Sequence, residues 1–196
     1  MSYAIIPFAV DLSMVRAVIG CGDADLADSL AESWSSQLAE IDDLAWGDES
    51  VPKARTVFWR MLIGDEPEAD HKHGYVHGYC LKILCRVCGD LLPNASWSGM
   101  RFSWFETVQS ALDAAEVDFD PVDLISGGAG IALPPIGDFP NIGHLARADL
   151  PGVRAELARA DAESVPDETA LTAILEIRDW IDRCLATERD LVCFYH

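Results

Sequence analysis

A chain of 196 residues, half of them hydrophobic, is long enough to bury one real core and short for two. It carries 33 acidic residues against 14 basic ones, a formal charge of −19, so the phosphates of nucleic acid or anionic lipid would be repelled rather than held. No stretch approaches the roughly 18 consecutive apolar residues that a membrane span needs.

Taken in chain order, Tyr3 to Val10 is apolar and aromatic and reads as a strand, which Pro7 places at a sheet edge or ends early. A brief helix follows to Ile19, and then a longer one in which Leu26, Leu30, Trp34, Leu38 and Ile41 recur at helical spacing. Ser50 and Pro52 open a helix carrying Val57, Phe58, Met61 and Leu62. The next runs from about Tyr75 to Leu92, with Val76, Tyr79, Cys80, Ile83, Leu84, Val87 and Leu91 on one face and Pro93 as its stop. Ser103-Trp-Phe-Glu106 matches a capping box ahead of Phe105, Val108 and Leu112. From 116 to 150 the pattern dissolves into Gly and Pro, a long loop of the kind that often carries function. Helices near 152–160 and after Pro166 precede a closing strand from Arg189 to Tyr195. These elements predict a single globular domain over 1–196, α+β and mainly helical, with a small sheet that includes both terminal strands.

Charge is uneven along the chain. No basic residue lies between Arg16 and Lys53, where nine acids run from Asp23 to Glu49, and a second base-free stretch spans Arg101 to Arg147. A charge run is ordinarily a solvated face; its functional alternative is a surface that steers a basic partner into place. Six tryptophans are present; Trp46 and Trp97 stand in loop-like, polar surroundings and are the two candidates for an exposed contact surface, with Asp138 and Phe139 of the long loop.

The most chemical segment is Asp70-His71-Lys-His73-Gly-Tyr-Val-His77-Gly-Tyr-Cys80, followed by Cys85-Arg-Val-Cys88. On a helix, His73, His77 and Cys80 fall at i, i+4 and i+7, a spacing at which imidazole and thiolate can hold zinc, with Asp70 or His71 as a further ligand. Against this, Cys80 lies at the centre of the apolar stripe, and Cys85 and Cys88 sit late in the helix, away from the N-terminal dipole that activates redox pairs. Packing is therefore the plain reading of the cysteines. His144 could act as a base beside Asp138, or simply be a histidine at a loop end. Ser126-Gly-Gly-Ala-Gly130 lacks the Gly-Lys-Ser/Thr ending of a phosphate loop and reads as a turn.

Three segments, Gly78-Tyr-Cys-Leu-Lys-Ile-Leu-Cys85, Leu133-Pro-Pro-Ile-Gly-Asp-Phe-Pro-Asn-Ile-Gly-His-Leu145 and Leu191-Val-Cys-Phe-Tyr195, together resemble a bacterial domain family of unknown function. The resemblance implies a bacterial cytoplasmic protein and brings no catalytic residues. It also implies that the stretch around Asp138-Phe139-Pro140 helps define the fold, either functionally or as a proline-stiffened strap that packs Phe139. A cytoplasmic location also fits the N-terminus, which lacks a positive signal segment, and the cysteines, which a chain of this apolar content can keep as thiols. The expected function is a non-enzymatic interaction module for a basic protein. The alternative is a metal-dependent or His-based hydrolase using Asp70, His71, His73, His77 and His144, with zinc as the metal.

Overall fold

The structure, a computed structural model, describes residues 3–64 and 73–196. In chain order these form β1 (Tyr3–Val10), α1 (Leu12–Val18), α2 (Ala24–Ser33), α3 (Ser35–Asp43), α4 (Ala54–Ile63), α5 (Gly74–Val87), β2 (Gly89–Leu91), β3 (Ser98–Met100), α6 (Ser103–Ala114), β4 (Asn141–Leu145), α7 (Leu150–Leu157), α8 (Glu168–Ala186) and β5 (Asp190–Tyr195). Short 3-10 turns occur at Ala95–Trp97 and Pro121–Ile125. The chain is α+β with helix dominant, and both terminal strands lie in its antiparallel sheet. No helix among the described residues is long and apolar enough to cross a membrane. The residues group into two compact units.

The first unit holds the sheet and comprises the chain up to Asp11, Gly89–Gly130 and Asn141–His196. Its strand order is β2-β1-β5-β4, with β3 also paired to β1. Thus β1 is central, not the edge strand that Pro7 suggests. Ala4 and His196 exchange both backbone hydrogen bonds, at 3.0 and 3.2 Å, so by antiparallel alternation Pro7 turns its backbone away from β5. Its missing N–H falls between β3, which lies opposite Tyr3 and Ala4, and β2, which starts opposite Val10 and ends opposite Phe8. The Pro7 carbonyl still accepts from Leu92 N–H at 2.9 Å, and Asn94 Nδ2 donates to the Ile5 carbonyl at 2.6 Å.

Helix α8 packs on β1, β5 and α6. It starts where the Asp167 carboxylate accepts the N–H groups of Thr169 and Ala170, at 2.9 and 3.1 Å. Ala170, Ala173, Ile174, Ile177, Trp180, Ile181 and Cys184 form its buried stripe, each large apolar side chain contributing about 1.5–3 kcal/mol through burial. Two expectations change here. Asn141–Leu145, expected inside the long loop, is strand β4, paired with β5 from Asn141↔Tyr195 to Leu145↔Leu191. At α6 the Ser103 side chain makes no cap hydrogen bond; Phe102 is the capping residue and Ser103 begins the helix.

The second unit comprises Leu12–Cys88 and Ile131–Pro140. Helix α4 packs against α2, α3 and α5. The single helix predicted from Leu26 to Ile41 breaks at Trp34, whose φ of −108° and ψ of 18° end α2 and begin α3. Helix α4 begins at Ala54, later than Pro52 suggests, because Asp42 Oδ1 of α3 accepts the Ala54 N–H at 2.8 Å and supplies the cap from a distance. Helix α5 stops at Val87, before the three-residue strand β2.

Residues 131–140 form a strap across α5. A Cβ built on Gly74 would lie 2.0 Å from the Pro135 carbonyl oxygen, and one on Gly78 would lie 2.8 Å from Ile136 Cδ1 and 3.0 Å from Pro140 Cγ. Glycine at i and i+4 thus opens one flank of α5 to the strap.

Candidate functional site

Of the predicted histidine cluster, Asp70 and His71 lie outside the described residues. His73, half-buried, immediately precedes α5, and His77 is buried within it. Burial disfavours the imidazolium of His77 and lowers its pKa, against an opposing pull from the His73 backbone one turn earlier. The Nδ1 atom of His77 is buried without a hydrogen-bond partner among the described residues. Cys80 does not complete the set. Its Sγ is fully buried and points to the Ala54 carbonyl at 3.7 Å, and desolvation pushes the pKa of the thiol up. Cys85 is likewise buried, with its pKa raised by desolvation and by Cys88. None of the six cysteines is in a disulfide. Among the described residues, no group of three or more His, Cys, Asp or Glu side chains has the geometry to hold a metal ion.

His144 lies on β4, in the sheet unit, while His73, His77 and Asp138 belong to the helical unit. Its Nδ1 is 2.9 Å from the Gly128 carbonyl and must carry the proton there, which leaves Nε2 as the basic nitrogen. That edge of the ring is closely covered, since a Cβ on Gly130, where φ is +65°, would meet Nε2 at 2.7 Å. The glycine segment closes onto β4 through Gly128 N–H to the Ile142 carbonyl at 3.0 Å and a bridge between Gly127 and Gly143. It is a turn against the sheet.

The two tryptophans proposed as contact residues separate sharply. Trp97 is fully buried: its indole N–H donates to the Ala173 carbonyl at 3.1 Å, and its ring meets Phe105 and Trp180 at 5.5 and 6.3 Å between centroids. It is a core residue, and its place in an exposed contact surface is withdrawn. Trp46 is 92% exposed, in a turn with φ of +51° where non-glycine residues are uncommon. Exposed Leu44, Asp43, Asp48 and Glu49 accompany it. Asp138 is exposed and Phe139 half-buried on the strap.

A further group of residues was not singled out by motif. Tyr75, Tyr79, Lys82 and Arg86 follow at i, i+4, i+7 and i+11 and share one unburied seam of α5, apart from the exposed Val87 at its last position. Lys82 Nζ sits 5.7 Å from the Tyr79 ring centroid, and the Arg86 guanidinium sits 5.7 Å from the Trp34 ring centroid. Burial, Asp138 and Tyr75 push the Tyr79 phenol up to about 12. Burial and Arg86 pull Lys82 down to about 8, against the pull of Glu40. The periodicity of these four residues was present in the sequence; the burial of residues 74, 76–78, 80–81 and 83–85 beside them, which makes the seam distinctive, was not.

One family model, described as Domain of unknown function (DUF7691), matches residues 1–196. No curated protein and no solved structure matches the chain.

Proposed function

Since the chain belongs to that family along its whole length, we propose its role from its own residues: a non-enzymatic interaction module that binds a basic protein. The observation that carries this reading is Trp46, almost wholly exposed within the base-free tract from Arg16 to Lys53. An indole held out in a turn offers a rigid, amphipathic anchor, and a lysine or arginine of the partner can stack on its face. The exposed acids Asp23, Asp25, Asp28, Glu32, Glu40, Asp43, Asp48 and Glu49 then supply long-range attraction that speeds encounter and rejects acidic competitors. We place this module in a bacterial cytoplasm, acting as one domain, with thiols kept reduced.

The test is affinity capture with the intact chain and with Trp46→Ala, followed by titration of the captured protein. A basic protein should bind the wild type, weaken as salt rises, and lose about thirtyfold or more in affinity with Trp46→Ala, the equivalent of about 2 kcal/mol for an anchor residue. Capture of no basic protein, or equal affinity for the variant, sinks the reading.

A second reading, zinc-dependent or His-based hydrolysis, draws support from one observation: His77 is held as a neutral imidazole with Nδ1 lacking a hydrogen bond, the form in which a metal takes it. Asp70, His71 and His73 would complete it. Elemental mass spectrometry of the purified chain decides this. Near-stoichiometric zinc that disappears in His73→Ala/His77→Ala would favour the hydrolase; its absence from the wild type would leave the interaction reading alone.

A further inference from the structure

Trp46 is displayed by a turn that is fastened at both ends. Within the turn, Asp48 N–H donates to the Ala45 carbonyl at 2.9 Å. The two residues between them, Trp46 and Gly47, have φ of +51° and +83°, the signature of a type I′ turn. Gly47 adopts such a backbone freely, whereas a bulky L residue keeps it only where its surroundings hold it there. On one side Trp46 N–H donates to the Asp43 carbonyl at 3.3 Å, the last residue of α3. The far end of the connection is held by Asp42, whose carboxylate accepts the Ala54 N–H at 2.8 Å and pairs with Lys53 Nζ at 3.6 Å. One side chain thus clasps the end of α3 to the start of α4.

We propose that Asp42 is a positioning residue for Trp46, holding the 44–53 connection so that the indole is already in place when it takes a guanidinium of the basic partner. This rests on the reading of Trp46 as the anchor and adds the ligand group and the residue that prepares the site. A loose connection would lose conformational freedom on binding; a clasped one has lost it on folding. Asp42 acts through the turn. Its side chain is 26% exposed, less open to a partner than the exposed acids around it. The chain uses the same pairing in its own fold, where the Arg86 guanidinium sits 5.7 Å from the Trp34 ring centroid.

The test uses the intact chain labelled with 5-fluorotryptophan, the Trp46 resonance being the one of six that is lost in Trp46→Phe. A tetra-arginine peptide is the probe, followed at that resonance so that binding elsewhere on the acidic surface is not counted. Asp42→Ala should speed hydrogen exchange at the Trp46, Asp48 and Val51 amides several-fold. It should also weaken the probe about two- to tenfold, the cost of ordering a residue or two on binding. Asp42→Asn keeps an oxygen for the Ala54 N–H and should restore both. Gly47→Ala and Gly99→Ala separate positioning from stability, since each puts a side chain at positive φ where a Cβ meets nothing within 4 Å. Only Gly47→Ala should weaken the probe. Unchanged exchange and affinity in a folded Asp42→Ala protein, or equal losses in the two glycine variants, overturns the positioning role while leaving Trp46 as the anchor. A wild-type Trp46 resonance that does not move with the probe removes the anchor reading, and this inference with it.

Discussion

His77 illustrates how one side chain couples the interior to pH. Its imidazole is neutral when folded because burial outweighs the pull of the His73 backbone, while the unfolded chain titrates near the ordinary value of 6.5. Just below that value the unfolded state binds more protons than the folded one. Stability is therefore complete above it and falls as pH drops through it. The melting temperature of the wild type should decline as pH falls through the ordinary value of 6.5, and His77→Gln should flatten that decline. An equally steep decline in the variant would assign the titration to another group. At this scale the sequence was only partly informative. Trp46 and Trp97 both follow turn-like residues, and local composition cannot separate them. What separates them is a partner distant in the chain: Trp97 finds the Ala173 carbonyl of α8, whereas Trp46 is 92% exposed.

Between elements, the contact that most constrains the helical unit is the strap on α5. Gly74→Ala would force a methyl group against the Pro135 carbonyl, a backbone atom in a proline-stiffened segment that cannot easily yield. The expected loss is about 1–3 kcal/mol, the usual range for overpacking, visible as a lower midpoint in urea unfolding. Ala substituted at Gly152, where a Cβ meets nothing within 4 Å, is the matched control. A midpoint for Gly74→Ala as high as that of the control would mean that the strap moves aside freely. Elements with long periodic patterns were legible in the sequence: β1, β5, α8 and most of α5. Those set by tertiary partners were not. Strands β2 and β3 have three residues each and no pattern of their own, and β4 is masked by Gly143 and the neighbouring prolines. The start of α4 depends on Asp42, twelve residues away. Pro7 misled because a proline is tolerated in a central strand where the neighbour on one side is interrupted.

Over the whole molecule the dominant fact is the net charge of −19, which acts against compactness through self-repulsion. Raising ionic strength from about 0.01 M to about 1 M shortens the screening length from about 30 to about 3 Å, so added sodium chloride should raise the melting temperature. A melting temperature that falls with salt would mean that ion pairs such as Arg154–Asp182 and Arg183–Asp179 outweigh the repulsion. The acidic bias and its base-free tracts were plain in the sequence. The seam of Tyr75, Tyr79, Lys82 and Arg86 was legible only as a spacing, since its meaning depends on what buries the rest of α5.

The pairing of β1 with β5 has a consequence for synthesis. Among these elements β1 leaves the ribosome first and β5 last, with some 180 residues between them. At about 5–20 residues per second, β1 waits roughly ten to forty seconds for its central neighbour. The helices α1 to α5 follow one another closely in the chain and can assemble during that interval, because their contacts are local. Strands β2 and β3 can pair with β1 soon after, but its other edge cannot be covered so early. A nascent chain of this protein therefore presents the β5-facing edge of an apolar strand, Ile5 to Val10, until translation has passed Tyr195.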